Sequence, residues 1–264
     1  MMYGLLKAPL YQTEWNGIPL SEVAAMAGLS ENALASSNFY GAFYREFRQR
    51  GFPLQAGWVE TKARTSTRVR AVLDETLPRF REEGRVALAV GAGLGIVELP
   101  LVADGYRIHL QECQGESLAY FTDRSERPVE KVWIAPTLSD VPDASYDAVY
   151  FNQVLYALDD SQYQSAMADA FRVLKPGGVL AVWDAECPLR DVLGRLYRRH
   201  GGVFWGWLRS RWLHEASARQ AGFKHLRTTE LAGDNTPVGT PSGRFLGCLV
   251  SGNAREQELV FRKL

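Results

Sequence analysis

Two textures divide the chain. Up to about residue 84, apolar positions recur at helical spacing. In IPLSEVAAMAGLSENAL (18–34), Ser21 is placed to cap a first helix carrying Val23, Ala24 and Met26, Gly28 to end it, and Ser30 with Asn32 to begin a second. In NFYGAFYREFRQRGF (38–52), Phe39, Phe43 and Phe47 lie four apart, with Tyr40 and Tyr44 on the adjoining stripe. A longer amphipathic segment runs from Trp58 to Phe80. From Arg85 onward short apolar runs alternate with helix-like stretches. The pattern predicts strands at Val86–Val90, Tyr106–Gln111, Lys131–Ala135, Tyr146–Phe151 and Val179–Trp183, with helices at Ile96–Ala103, Gly115–Phe121 and Ser161–Leu174 between them. Two further strands are expected near Lys224–Leu231 and Phe245–Ser251.

Such alternation with short connections predicts a doubly wound α/β sheet. The expected organisation is a helical N-terminal cap or lid over 1–84 and a sheet domain over 85–264. Composition changes this picture little: of 264 residues 46% are hydrophobic and 23% charged, which fits an ordinary globular protein. Lysine plus arginine balance aspartate plus glutamate, so no global field recruits nucleic acid or an anionic membrane. Cys113, Cys187 and Cys248 are scattered without CxxC spacing, which argues against a disulfide framework and a structural zinc site; no metal is expected. MMYGLLKAPLYQTEW lacks the basic start and apolar core of a signal peptide, and no apolar run is long enough to span a bilayer. A cytoplasmic location without stable membrane insertion is the expectation.

The chemistry starts at LAVGAGLG (88–95), where Gly91, Gly93 and Gly95 alternate directly behind a buried strand. Glycines there permit positive φ and let a ligand approach the backbone, and the following helix would turn its first amides toward that ligand. A plain strand-to-helix turn is the bland alternative. Glu112 closes the next strand, YRIHLQE, where a carboxylate offers two acceptor oxygens to a ribose diol. Its bland alternative is a solvated acid, as Glu116 nearby suggests. Two later stretches follow in order, VPDASYDAVYFNQVLYAL (141–158) and FRVLKPGGVLAVWD (171–184), each carrying a turn and then a strand.

Together LAVGAGLG, YRIHLQE, VPDASYDAVYFNQVL and RVLKPGGVLAVWD resemble the class I S-adenosylmethionine-dependent methyltransferases, over about residues 85–252. The resemblance implies a Rossmann-like methyltransferase fold, a seven-stranded, mostly parallel sheet with helices on both faces and a reversed last strand. It implies S-adenosylmethionine as cofactor and S-adenosylhomocysteine as product. By position it puts the amino-acid end of the cofactor at Gly91, Gly93 and Gly95, the ribose at Glu112, the adenine beside Ala135 and the methionine portion at Asn152. Gln153 and Tyr156 would lie near the transferred methyl. Two departures stand out: Ala89 occupies the place of an acid that usually helps to orient the methionyl end, and Ala135 that of an aspartate common beside the adenine. Losing one charge-assisted hydrogen bond weakens binding by roughly 1.5–3 kcal/mol, about ten- to a hundred-fold.

Methyl transfer from a sulfonium depends mainly on alignment, although an oxygen acceptor can use a general base. Of the four histidines, His109 and His225 fall within strands and read as packed residues. His200 and His214 follow the fifth strand of the predicted sheet, in the region where related enzymes build the acceptor pocket, and His214 is the candidate base. Around them RLYRRHGGVFWGWLRSRWLHE (195–215) mixes arginines with tryptophans. It reads as a packed insertion helix, as an acceptor lid hinged at Gly201, Gly202 and Gly206, or as an interfacial helix. Tyr40 and Tyr44 read either as cap residues reaching over the substrate pocket or as core.

The expected function is methyl transfer to an oxygen or nitrogen of a small-molecule acceptor, with a homodimer left open. One rival keeps the fold and the cofactor without the reaction, as a pseudo-methyltransferase or a cyclase-like enzyme. Another reads residues 18–34 as the helix-turn-helix of a DNA-binding regulator, but SENALASSNF carries no cation for phosphate contacts. A dimerisation or lid element suits that stretch better.

Overall fold

The computed structural model describes residues 14–28, 37–186, 209–231 and 255–264. A two-residue hairpin, β1 (Glu14–Trp15) and β2 (Ile18–Pro19), leads into α1 (Leu20–Met26). Helices α2 (Ser37–Gln49) and α3 (Ala56–Thr76) follow. The sheet domain then runs β3 (Val86–Val90), α4 (Glu98–Ala103), β4 (Arg107–Glu112), α5 (Ala119–Arg124), β5 (Val132–Ile134), β6 (Tyr146–Asn152), α6 (Asp160–Val173), β7 (Leu174–Glu186), α7 (Arg211–Ala221), β8 (Phe223–Leu231) and β9 (Arg255–Lys263). The seven strands from β3 onward order as β5-β4-β3-β6-β7-β9-β8. Pairings among β3 to β7 are parallel, whereas β9 runs antiparallel to both β7 and β8. The carboxyl ends of β3 and β6 lie side by side at the point where strand order reverses, the place where open α/β sheets receive ligands.

Strand alternation sorts the core into two layers. Ala87, Ala89, Tyr150, Ala181 and Trp183 pack on one face against Val69, Val72 and Leu73 of α3 and Leu101 of α4. Leu88, Val90, Phe151, Leu180 and Val182 point the other way, onto Tyr163 and Met167 of α6 and Ala218 of α7. A third, smaller core joins Ile18, Val23, Phe39, Phe43 and Phe47 to Leu94 of the glycine turn. Hence α1 and α2 dock on the turn itself, while α3 shares the core of the sheet; the change of texture near residue 84 is not a boundary of packing.

Several local expectations shift. Pro19, not Ser21, precedes the first helical residue of α1, and Gly28 ends it at φ 67°. The second helix expected from Ser30 lies in 29–36, outside the described residues. The segment at 115–121 splits into a 3-10 turn, Gly115–Leu118, and α5, because the Ser117 amide and hydroxyl both bond back to the Gln114 carbonyl and tighten the first turn. Strand β7 begins at Leu174, earlier than Val179: Leu174 already pairs with Tyr146, and KPGG forms a bulge within the strand. The last strand is Arg255–Lys263, beyond the expected 245–251, which lies outside the described residues.

Candidate active site

Gly91, Gly93 and Gly95 all take left-handed backbone, with φ 65°, 59° and 68°. Their lack of side chains is also steric. A Cβ at 91 would sit 2.6 Å from Val154, one at 93 would sit 2.9 Å from the Tyr44 hydroxyl, and one at 95 would sit 2.6 Å from the Phe121 ring. The turn is therefore a tight cradle pressed by three neighbouring elements, not an open linker.

Two side chains from the end of β4 hold this cradle. The buried Glu112 accepts the Gly93 amide on one carboxylate oxygen (2.8 Å) and the Cys113 amide on the other (2.7 Å). The Cys113 thiol also donates to the latter oxygen (3.1 Å), so the oxygen that takes the Gly93 amide is the one that keeps a second lone pair for a diol hydroxyl. Gln111 accepts the Gly91 amide (3.0 Å) and donates to the Ala135 carbonyl (2.5 Å). It ties the glycine turn to the loop after β5, and sequence reasoning missed it. Alternation along YRIHLQE was its only available signal. Ala135 also donates its amide to the Glu112 carbonyl (3.0 Å), so this loop is fixed through backbone groups although no acid stands there.

At the end of β6, Asn152 leaves its side-chain Oδ1 buried and without a hydrogen-bond partner among the described residues. Gln153 follows at φ 56°, an unfavourable conformation for a non-glycine residue, and its amide donates to the Trp183 carbonyl (2.7 Å). That kink turns the chain back so that Val154 meets Gly91. Above lies an aromatic wall. The Tyr40 and Tyr156 hydroxyls are 2.8 Å apart, and the Tyr40 and Tyr44 rings stack at 6.3 Å. Burial raises the pKa of all three phenols; the charge of Glu112 adds to the shift at Tyr40 and Tyr44, and Asp184 adds to that of Tyr156, which reaches about 12. The structure thus brings Tyr40, Tyr44, Tyr156, Glu112 and the glycine turn together, with the buried Asp184 of β7 at their edge.

His214 does not belong to this group. It is buried between α6 and α7, where Nδ1 lies 2.9 Å from the Tyr163 hydroxyl and the two rings meet edge to face. Burial, with the nearby Arg209 charge, pulls its pKa down to about 3. A general base must reach its substrate and hold a pKa near the working pH. His214 instead packs with its ring buried against Tyr163. His109 contacts the Tyr146 hydroxyl and Glu130, and His225 contacts Thr228. His200 and most of the arginine- and tryptophan-rich stretch lie in 187–208, outside the described residues. Within the described part, Arg209 is buried and donates to the Leu155 and Leu158 carbonyls and to Asp160, whereas Trp212 is exposed.

A second missed residue is Glu98, at the start of α4 and 2% exposed. The Tyr150 hydroxyl donates to its Oε1 (3.0 Å), and Oε2 has no partner among the described residues. Desolvation raises this carboxyl to about 7, with the charge of Glu112 adding and that of Lys62 opposing. In the sequence it looks like an ordinary first-turn acid. No described helix is long and apolar enough to cross a membrane.

Residues 88–182 match the family model described as a methyltransferase domain. No curated protein matches the chain. Among solved structures, a Galdieria sulphuraria protein assigned as a sarcosine dimethylglycine methyltransferase superposes with TM-score 0.58 at 19% identity, over 76% of this chain and 85% of that one. The [4+2]-cyclase SpnF superposes with TM-score 0.57 at 19% identity, over 74% and 80%. Geranyl diphosphate C-methyltransferase from Streptomyces coelicolor A3(2) gives TM-score 0.55 at 12% identity, over 75% and 78%. At these identities the similarity is one of fold, and it agrees with the strand order and with the family model. Residues 88–182 thus match a methyltransferase domain, within a seven-stranded, mostly parallel sheet of Rossmann-like methyltransferase fold.

Proposed function

We propose that the protein transfers a methyl group from S-adenosylmethionine to an oxygen or nitrogen of a small-molecule acceptor. The observation that carries this reading is the cradle: three left-handed glycines pinned by Gln111 and Glu112, beside an Asn152 whose Oδ1 has no partner among the described residues. A buried acceptor without a donor is costly unless a ligand satisfies it. The residues fit the cofactor. Gly91, Gly93 and Gly95 would face its amino-acid end, Glu112 its ribose, the Ala135 loop its adenine and Asn152 its methionine portion.

When bound, the cofactor supplies a methyl group on a positively charged sulfur that leaves as a neutral thioether. The chain's own work is then placement and exclusion of water. Tyr40, Tyr44 and Tyr156 form the wall toward the acceptor, and α1 with α2 serves as the cap that carries two of them. With His214 sequestered, Asp184 is the acid at the edge of this wall and the group to which a base role falls, if the acceptor needs one.

A second reading keeps the cofactor pocket for a reaction other than methyl transfer. The sequestration of His214 away from the wall and the similarity in fold to a cyclase both favour considering it. Calorimetric titration with S-adenosylmethionine and S-adenosylhomocysteine, on the parent and on Glu112→Ala, tests the cofactor site. Binding by the parent that Glu112→Ala weakens is the expected result; no binding by the parent refutes the proposal. Mass analysis of acceptor mixtures then separates the two readings, since any product heavier by one methyl group excludes the second.

A further inference from the structure

Three observations converge on the face of the sheet that carries α3 and α4. Ala89 of β3 pairs with Tyr150 of β6, and side chains two apart on a strand share a face, so Ala89, Tyr150 and Asn152 all look the same way. Glu98 descends onto this face from α4: Tyr150 holds its Oε1, and its Oε2 is buried without a partner among the described residues. Asn152 adds a second such buried oxygen, beside the glycine turn. Two unsatisfied acceptors on one dry face, one of them on a carboxyl group, complement a cationic donor.

Resting on the cofactor reading above, we propose that Glu98 and Asn152 together seat the α-ammonium group of the cofactor's amino-acid end, Glu98 standing in from α4 for the acid that is missing at Ala89. The groups that face Glu98 are the Tyr150 phenol from β6, the Lys62 ammonium from α3 and the Glu112 carboxylate from β4. In this setting the empty protein holds the Glu98 proton up to about pH 7. Seating an ammonium favours the carboxylate, so binding expels that proton and cofactor affinity rises with pH.

The test is calorimetry of S-adenosylmethionine, S-adenosylhomocysteine and methylthioadenosine, the last lacking the amino-acid end. Each is titrated at about pH 6 and pH 8, in two buffers of different ionisation enthalpy, into the parent protein and Glu98→Gln. For the parent, a group titrating near 7 predicts about tenfold tighter binding of the first two ligands at pH 8 than at pH 6, with proton release at pH 6. Glu98→Gln should abolish both effects, weaken both ligands at pH 8 by roughly ten- to a hundred-fold, and leave methylthioadenosine unchanged. Three results overturn the proposal: pH-independent binding by the parent, equal weakening of methylthioadenosine, or a loss confined to S-adenosylmethionine, which would point to the sulfonium. Failure of the parent to bind any of the three ligands removes the cofactor reading itself, whereas binding by the parent that Glu98→Gln leaves intact removes only the role of Glu98.

Discussion

Glu98 makes a prediction about the empty protein as well. Its carboxyl titrates near 7 when folded against an ordinary 4.5, so between those values the native state holds a proton that the unfolded chain has lost. Stability attributable to this group is therefore undiminished below about pH 4.5 and falls as pH rises toward 7, after which the deficit is constant. A difference of 2.5 units at 1.36 kcal/mol each is about 3 kcal/mol, as an order of magnitude. Glu98→Gln removes the titration while keeping the shape and the acceptor for Tyr150. The variant leaves an amide N–H pair in a dry site at a cost of roughly 1–3 kcal/mol, but that cost does not vary with pH. Urea denaturation of parent and variant between about pH 4 and pH 8 isolates the effect, because all other groups cancel in the difference. The variant should gain about 3 kcal/mol relative to the parent across this range. A parent-minus-variant difference that is flat with pH would refute the argument that Glu98 is buried and protonated.

Gly95→Ala places a methyl 2.6 Å from the buried Phe121 ring in left-handed backbone, and should lower stability by about 2–4 kcal/mol in urea denaturation. A loss below about 1 kcal/mol would mean the turn can relax. Tyr40→Phe deletes the 2.8 Å bond to Tyr156 and should cost about 0.5–1.5 kcal/mol in stability. It should also raise the KM of the acceptor without altering calorimetric cofactor affinity, and the reverse pattern would move Tyr40 to the cofactor side. His214, neutral and buried with a folded pKa near 3 against 6.5, contributes stability that is full above about pH 6.5 and lost as pH falls toward 3. His214→Gln should flatten that acid limb of the Tm curve while leaving the neutral-pH dependence of kcat unchanged; a lost kcat limb near neutrality would restore His214 as a base.

Alternating apolar runs and their connections by themselves determined the parallel part of the sheet, because a strand buried on both sides leaves a continuous apolar signature that few other elements share. The glycine spacing and the acid closing β4 were legible for a similar reason: close backbone approach and left-handed φ restrict positions 91, 93 and 95 locally. What only the tertiary structure decided are relations between elements distant in the chain. Glu98 reads as a surface acid in the first turn of a helix until Tyr150, 52 positions away, is set beneath it. His214 reads as a base until α6 closes over it. Gln111 reads as a strand residue until its amide bridges the turn at Gly91 and the loop at Ala135. Periodicity reports which face of an element is buried, and says nothing of which partner covers that face. For polar side chains the partner is what sets charge state and role, so the fold was legible in the sequence and the protonation chemistry of its site was not.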